Sequence, residues 1–236
     1  MFFNLFLCVG YCLCVIQNCI NDKEISITFD DGISDNTKQI VDILQRNNVT
    51  ATFFINGISV MKRNGWNLVR ELVNNGNIIG THTFSHPSLS KLSDFNIRRE
   101  LYDNEMIFRI LLNKRPNFFR PPYFDYNDHI LNIINEFGYE TIVVSLDTYD
   151  WNGLNENQIY NAFVNAINNS TSSFISLNHE QIKPSVLVLD KIIKYIKKIN
   201  YKIVSLEECT GKPSYKDDTF YGPNLVNGLK NYLTNF

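Results

Sequence analysis

Two adjacent carboxylates, two histidines four residues apart and a third histidine far downstream are the side chains in this sequence best suited to metal or acid–base chemistry. Asp30 and Asp31 precede Gly32, His82 and His86 form His-x-x-x-His, and His179 follows Leu177-Asn178. Taken alone, Asp-Asp-Gly is as compatible with an acidic turn as with a site. The histidine spacing suits two ligands, but Thr83 follows His82, which excludes the His-Glu-x-x-His pattern of zinc proteases. Pro87 disfavours helical geometry at His86, so the pair is expected in a turn leading off a strand. Two imidazoles and a carboxylate suit zinc. They also suit Fe(II), although an iron oxygenase would leave the second carboxylate, Arg120 and His179 without a task. Arg120, Asp147 and Asp150 are further candidates, with a structural ion pair and a loop cap as the plainer readings of Arg120 and Asp147. The fourth histidine, His129, opens a predicted helix and is expected at the surface.

The elements that must position these residues alternate. Short β-branched or aromatic runs at 25–29, 51–55, 77–80, 118–119, 140–146, 174–177 and 202–205 read as strands. Between them, stretches of helical period cover 36–47, 67–74, 93–112, 128–137, 155–167 and 185–199, with Ser93 a predicted N-cap and Gly138 a C-terminal stop. Strand and helix alternating in this way imply parallel strands joined by right-handed crossovers. The expected fold is a distorted (β/α) barrel of about seven parallel strands in a single domain. Each candidate side chain follows a predicted strand within a few residues, so the barrel would gather them on its C-terminal rim.

Composition is ordinary for a globular chain, at 44% apolar, 13% aromatic and 19% charged residues. A net charge of −2 and dispersed Lys and Arg argue against a nucleic-acid partner, and no protein partner is expected. The lysines around 194–198 alternate with isoleucines as on the solvated side of an amphipathic helix. Residues 2–16 are apolar except Asn4 and Gly10, and no charge precedes Asp22. Residues 1–18 therefore read as a signal peptide, with a membrane anchor through residues 2–20 as the alternative, and 19–236 as the mature domain. Leader removal would leave Cys19 and Cys209 as one disulfide or as two unrelated thiols. Sequons at Asn48, Asn168 and Asn169 are compatible with export.

Taken together, five segments in order resemble the NodB-homology polysaccharide deacetylases, carbohydrate esterase family 4. They are Thr28-Phe29-Asp30-Asp31-Gly32, His82-Thr83-Phe84-Ser85-His86, Arg120-Pro121-Pro122-Tyr123, Asp147-Thr148-Tyr149-Asp150-Trp151 and Leu177-Asn178-His179. The Asp-x-x-Asp-Trp form is closest to the fungal chitin deacetylases. The resemblance implies a secreted or cell-wall hydrolase that removes acetyl groups from N-acetylglucosamine units of chitin or its oligomers. It implies that Asp31, His82 and His86 hold a divalent metal, zinc or alternatively cobalt. Asp30 would act as general base oriented by Arg120, and His179 as general acid supported by Asp150. Tyr123 would offer its backbone N–H to the developing oxyanion, and Trp151 and Leu177 would wall the acetyl methyl. Two positions depart from the family: Ile33 stands where Pro is usual and Phe124 where Gly is common. The competing expectation is a catalytically inactive carbohydrate-binding or cell-wall structural protein on the same fold.

Overall fold

The computed structural model describes residues 14–62, 64–169 and 172–216. The strands are β1 (Val15–Ile16), β2 (Glu24–Ser26), β3 (Thr28–Phe29), β4 (Thr52–Ile55), β5 (Ile78–Thr81), β6 (Arg115–Pro116), β7 (Phe118–Phe119), β8 (Glu140–Ile142), β9 (Leu146–Asp147), β10 (Phe174–Leu177), β11 (Lys202–Ile203) and β12 (Tyr215–Lys216). The helices are α1 (Thr37–Arg46), α2 (Gly57–Val60), α3 (Gly65–Asn74), α4 (Asp94–Leu112), α5 (Asp128–Glu136), α6 (Glu156–Asn168), α7 (Lys183–Lys198) and α8 (Leu206–Thr210). Strands β4, β5 and β10 are buried along their whole length, as parallel strands covered by helices must be. Helix α7 buries Val186, Leu189, Ile193 and Ile196 and exposes Lys191, Lys194, Lys197 and Lys198, which accounts for its lysine-rich pattern. Ser93 caps α4 by accepting from the Asn96 N–H, and Gly138 ends α5 at φ +71°.

The barrel is two curled sheets sharing two continuous segments. One sheet runs β1-β8-β7-β5-β4-β3 and the other β11-β2-β10-β9, with every pairing parallel, while β6 and β12 form a separate antiparallel pair. Segments 25–29 and 140–146, each read from the sequence as one strand, are divided because they change partners midway. The Ile27 carbonyl turns to the Thr52 N–H, and Val143 donates to Ile16 whereas Ser145 donates to Ile175. A bridge between Asp30 and His179 ties the first sheet to the second at the rim. Joined in this way, the seven predicted strand segments form the distorted barrel, with β1 added beside β8.

At the opposite end, Cys19 and Cys209 are joined across 190 residues. On the chain-entropy view such a loop stabilises by up to about 5 kcal/mol. Strand β1 lies inside the stretch 1–18 read as a leader, and it pairs Val15 with Thr141 and Ile16 with Ile142. Residues 1–13 of that reading, and Ser170 and Thr171 of the later sequons, lie outside the described residues. Among the described residues no helix is long and apolar enough to cross a membrane.

Candidate active site

A cleft of about 360 Å³ opens at the C-terminal rim, lined by Asp30, Asp31, His82, His86, Pro121, Tyr123, Phe124, Asp147, Trp151, Leu177 and His179. Arg120 and Asp150 lie buried beneath it. His129 stands apart, exposed and paired with Asp94.

The two histidines leave β5 in a loop rather than on a helix, with Thr83 and His86 both at positive φ. His82 Nδ1 lies 2.7 Å from the Arg120 carbonyl, which can only accept, so Nδ1 carries the proton and Nε2 presents a lone pair. His86 Nδ1 lies 3.2 Å from Tyr123 Oη. The two Nε2 atoms are 3.2 Å apart, and Asp31 Oδ1 is 3.5 Å from one and 3.0 Å from the other. Asp31 Oδ1 is buried yet accepts no hydrogen bond. Burial raises the Asp31 carboxyl, but His82 and His86, whenever protonated in place of a bound cation, donate to it and attract it strongly enough to hold the group far below the usual carboxylate range. Converging lone pairs around an orphaned carboxylate oxygen fit a cation, and the N and O donor set fits zinc with positions left open.

Asp30 is buried beside this cluster, and its Oδ1 accepts from Arg120 Nη1 at 2.6 Å. Arg120 is fully enclosed; Nη1 also donates to Thr28 Oγ1 at 2.7 Å, and its guanidinium lies 4.0 Å over the Phe54 ring. Across the cleft, both oxygens of Asp150 grip His179, from Nδ1 at 2.7 Å and from the backbone N–H at 2.7 Å. Burial alone would lower the His179 imidazole. The bond and charge of Asp150, joined by the charges of Asp30 and Asp31, raise it to about 9. Asp147 serves as a loop brace: it accepts from the Tyr149 N–H and from Trp151 Nε1, holding a Trp ring that is 54% exposed at the cleft edge. Leu177 is buried on the cleft wall.

The departures from the family pattern have visible consequences. Ile33 donates its N–H to Ser59 Oγ at 3.1 Å, a bond that proline could not make. Beside it Gly32 sits at φ +93°, where an added Cβ would lie 2.1 Å from Ser59 Oγ. Tyr123 and Phe124 both adopt left-handed φ, +59° and +52°. The turn's first hydrogen bond is donated by Phe124 to Pro121, so the Tyr123 N–H precedes it.

Sequence reasoning assigned no role to the supporting residues, although Asn178 stands within the fifth motif. Gln181 Nε2 donates to Asp31 Oδ2, Asn56 Nδ2 donates to the Asp31 carbonyl, and Asn178 Nδ2 donates to the Thr28 carbonyl. Proximity to His179 was the available signal for Gln181. Nothing in the spacing marks Asn56.

A sequence profile described as polysaccharide deacetylase matches residues 17–142. A peptidoglycan-N-acetylglucosamine deacetylase of Bacillus cereus is 35% identical over 191 residues, covering 79% of this chain and 68% of that protein. The solved chitin deacetylase of the fungal pathogen Colletotrichum lindemuthianum superposes with a TM-score of 0.83 at 27% identity, covering 89% of this chain and 98% of the other. A mutant of a family 4 carbohydrate esterase pseudoenzyme from Bacillus anthracis, with restored enzymatic activity, superposes with a TM-score of 0.77 at 25% identity, covering 84% and 71%.

Proposed function

The chain belongs to the polysaccharide deacetylase family, and from that membership we propose that it hydrolyses the N-acetyl groups of N-acetylglucosamine units in a chitin-like polysaccharide. The observation that carries the reading is the meeting of Asp31, His82 and His86 ligand atoms within 4.8 Å, with Asp30 and His179 lining the same cleft. Those three residues would hold the metal, zinc by donor chemistry with cobalt as a substitute, and the bound ion would supply Lewis acidity toward water and the acetyl carbonyl.

The chain's own groups divide the remaining work. Asp30, with Oδ1 committed to Arg120, takes a proton from the attacking water. As the acetyl carbon becomes tetrahedral, the Tyr123 N–H would be the donor offered to the oxygen that gathers charge. His179, held as imidazolium by Asp150, delivers a proton to the departing amine, so amide and water become acetate and amine. Leu177 and Trp151 exclude water around the methyl. The Asp-x-x-Asp-Trp segment supports chitin over peptidoglycan as substrate.

The Cys19–Cys209 bond supports an oxidising compartment, hence a secreted or cell-wall location. In this reading the pairing of β1 with β8 supports a cleaved leader that ends ahead of Val15 rather than at residue 18.

Acetate release from N-acetylglucosamine oligomers by protein loaded with zinc or cobalt tests the proposal, with peptidoglycan fragments run in parallel. Release from the fragments alone would reassign the substrate. The second reading, a silent carbohydrate-binding barrel, is favoured by Phe124, a bulky residue in left-handed conformation on the cleft wall. Absence of release from both substrates would establish it.

A further inference from the structure

The segment after His179 does more than present an acid. Gln181 Nε2 donates to Asp31 Oδ2 at 2.8 Å, the oxygen opposite the one that faces the two histidine nitrogens. Oδ1 is left buried and without a donor. A carboxylate torsion is soft and roughly two-fold, so an isolated Asp side chain could offer a cation either oxygen or both. Here one oxygen is capped by a neutral amide and the other is open.

Glu180 explains why Gln181 stays in place. Its side chain is fully buried, and Thr37 Oγ1 donates to Oε1 at 2.9 Å. Its carbonyl accepts from Ser34 Oγ at 3.2 Å and from Asn36 Nδ2 at 3.0 Å. Ser34 and Asn36 belong to the loop that begins at Asp31, and Thr37 is the first residue of α1, which that loop enters. The loop that carries the ligand and the loop that carries the clamp are thus tied together beneath the rim. Burial, only partly opposed by the bonds from Thr37 and Ser34, raises the Glu180 carboxyl well above its usual range, so a glutamine of the same shape should replace it.

Building on the metal reading above, we infer that Gln181, anchored through Glu180, is a positioning residue that fixes Asp31 as a single-oxygen ligand. A surface hydrogen bond without that role would leave metal affinity untouched, whereas an outer-shell partner of a ligand typically matters 10- to 100-fold. Zinc affinity is measured by competition with a chromogenic chelator, together with the unfolding midpoint of the metal-free protein. Gln181→Leu is expected to bind zinc about 10- to 100-fold more weakly with an unchanged metal-free midpoint, because the residue is exposed. Glu180→Gln should match the wild type, and Glu180→Ala should lose both affinity and stability. Zinc binding by Gln181→Leu within about threefold of the wild type overturns the inference. Wild-type protein that binds no zinc overturns it together with the metal reading. A weakened Gln181→Leu in a protein that releases no acetate upholds it while removing the activity.

Discussion

The two ends of the barrel are held in different ways. At the N-terminal end the disulfide is backed by the Ile20 N–H donating to the Cys209 carbonyl, by Ser173 Oγ donating to the Cys19 carbonyl, and by the Ser205–Glu208 capping box of α8. At the C-terminal rim the backbone is strained. Positive φ occurs there at Thr83, Tyr123, Phe124 and Tyr149, types that disfavour it, and at Asp31 and His86, types that tolerate it, whereas elsewhere among the described non-glycine residues it falls on Asn48, Asn64, Asn113, Asn200 and Lys23. Asparagine tolerates the left-handed region; a β-branched or aromatic residue there costs about 1–3 kcal/mol. The strain thus falls around the loops where the Asp31, His82 and His86 side chains converge, while a covalent bond and backbone hydrogen bonds hold the far end.

This contrast can be broken at either end. The largest expected effect is at the rim: Asp30→Asn should lower acetate release about 10²- to 10⁴-fold while zinc remains bound, measured by metal analysis and assay. Asp31→Asn should lose metal and activity together. If Asp30→Asn lost the metal and Asp31→Asn kept it, the two roles would be exchanged. At the other end, replacing both Cys19 and Cys209 with Ser should destabilise by about 2–5 kcal/mol in denaturant titration and leave zinc affinity unchanged. A change in affinity would show that the ends are coupled.

His179 sharpens the comparison through pH. Its imidazole is raised in the fold from its ordinary 6.5 to about 9, so its stabilising contribution is complete below about 6.5 and is lost as pH rises through about 9. Asp150→Asn should flatten that loss in unfolding measurements across the window and move the alkaline limb of kcat/KM to lower pH. An unmoved limb would remove His179 as the acid. The smallest effect concerns strain itself. Phe124→Gly should raise stability by about 1 kcal/mol, and Asn113→Gly should stay within about 0.5 kcal/mol of the wild type. Equal responses at the two positions would mean that the rim carries no excess strain.

Much of the scaffold was legible because it repeats local rules. The burial pattern of α7, the Ser93 cap and the Gly138 stop depend on residues within a few positions of one another. The seven strand segments were found, but their partners were not, since the divisions at Ile27 and Val143–Ser145 arise from neighbours far away in sequence. In the same way, motif order made the rim cluster legible, while its outer supports stayed invisible. Gln181 reaches Asp31 across 150 residues and Thr37 reaches Glu180 across 143.

By itself the sequence determined the alternation of strands and helices and the appearance of each reactive side chain just after a strand. Those follow from side-chain periodicity and turn chemistry, which act over short stretches of chain. Tertiary structure alone decided which nitrogen of His82 keeps its proton, which oxygen of Asp31 stays open and how far the His179 imidazole is raised. Each depends on a hydrogen bond or charge from a distant segment: the Arg120 carbonyl, the Gln181 amide and the Asp150 carboxylate. Only the closed barrel brings these groups within about 3 Å of their partners, the range in which directional bonds act.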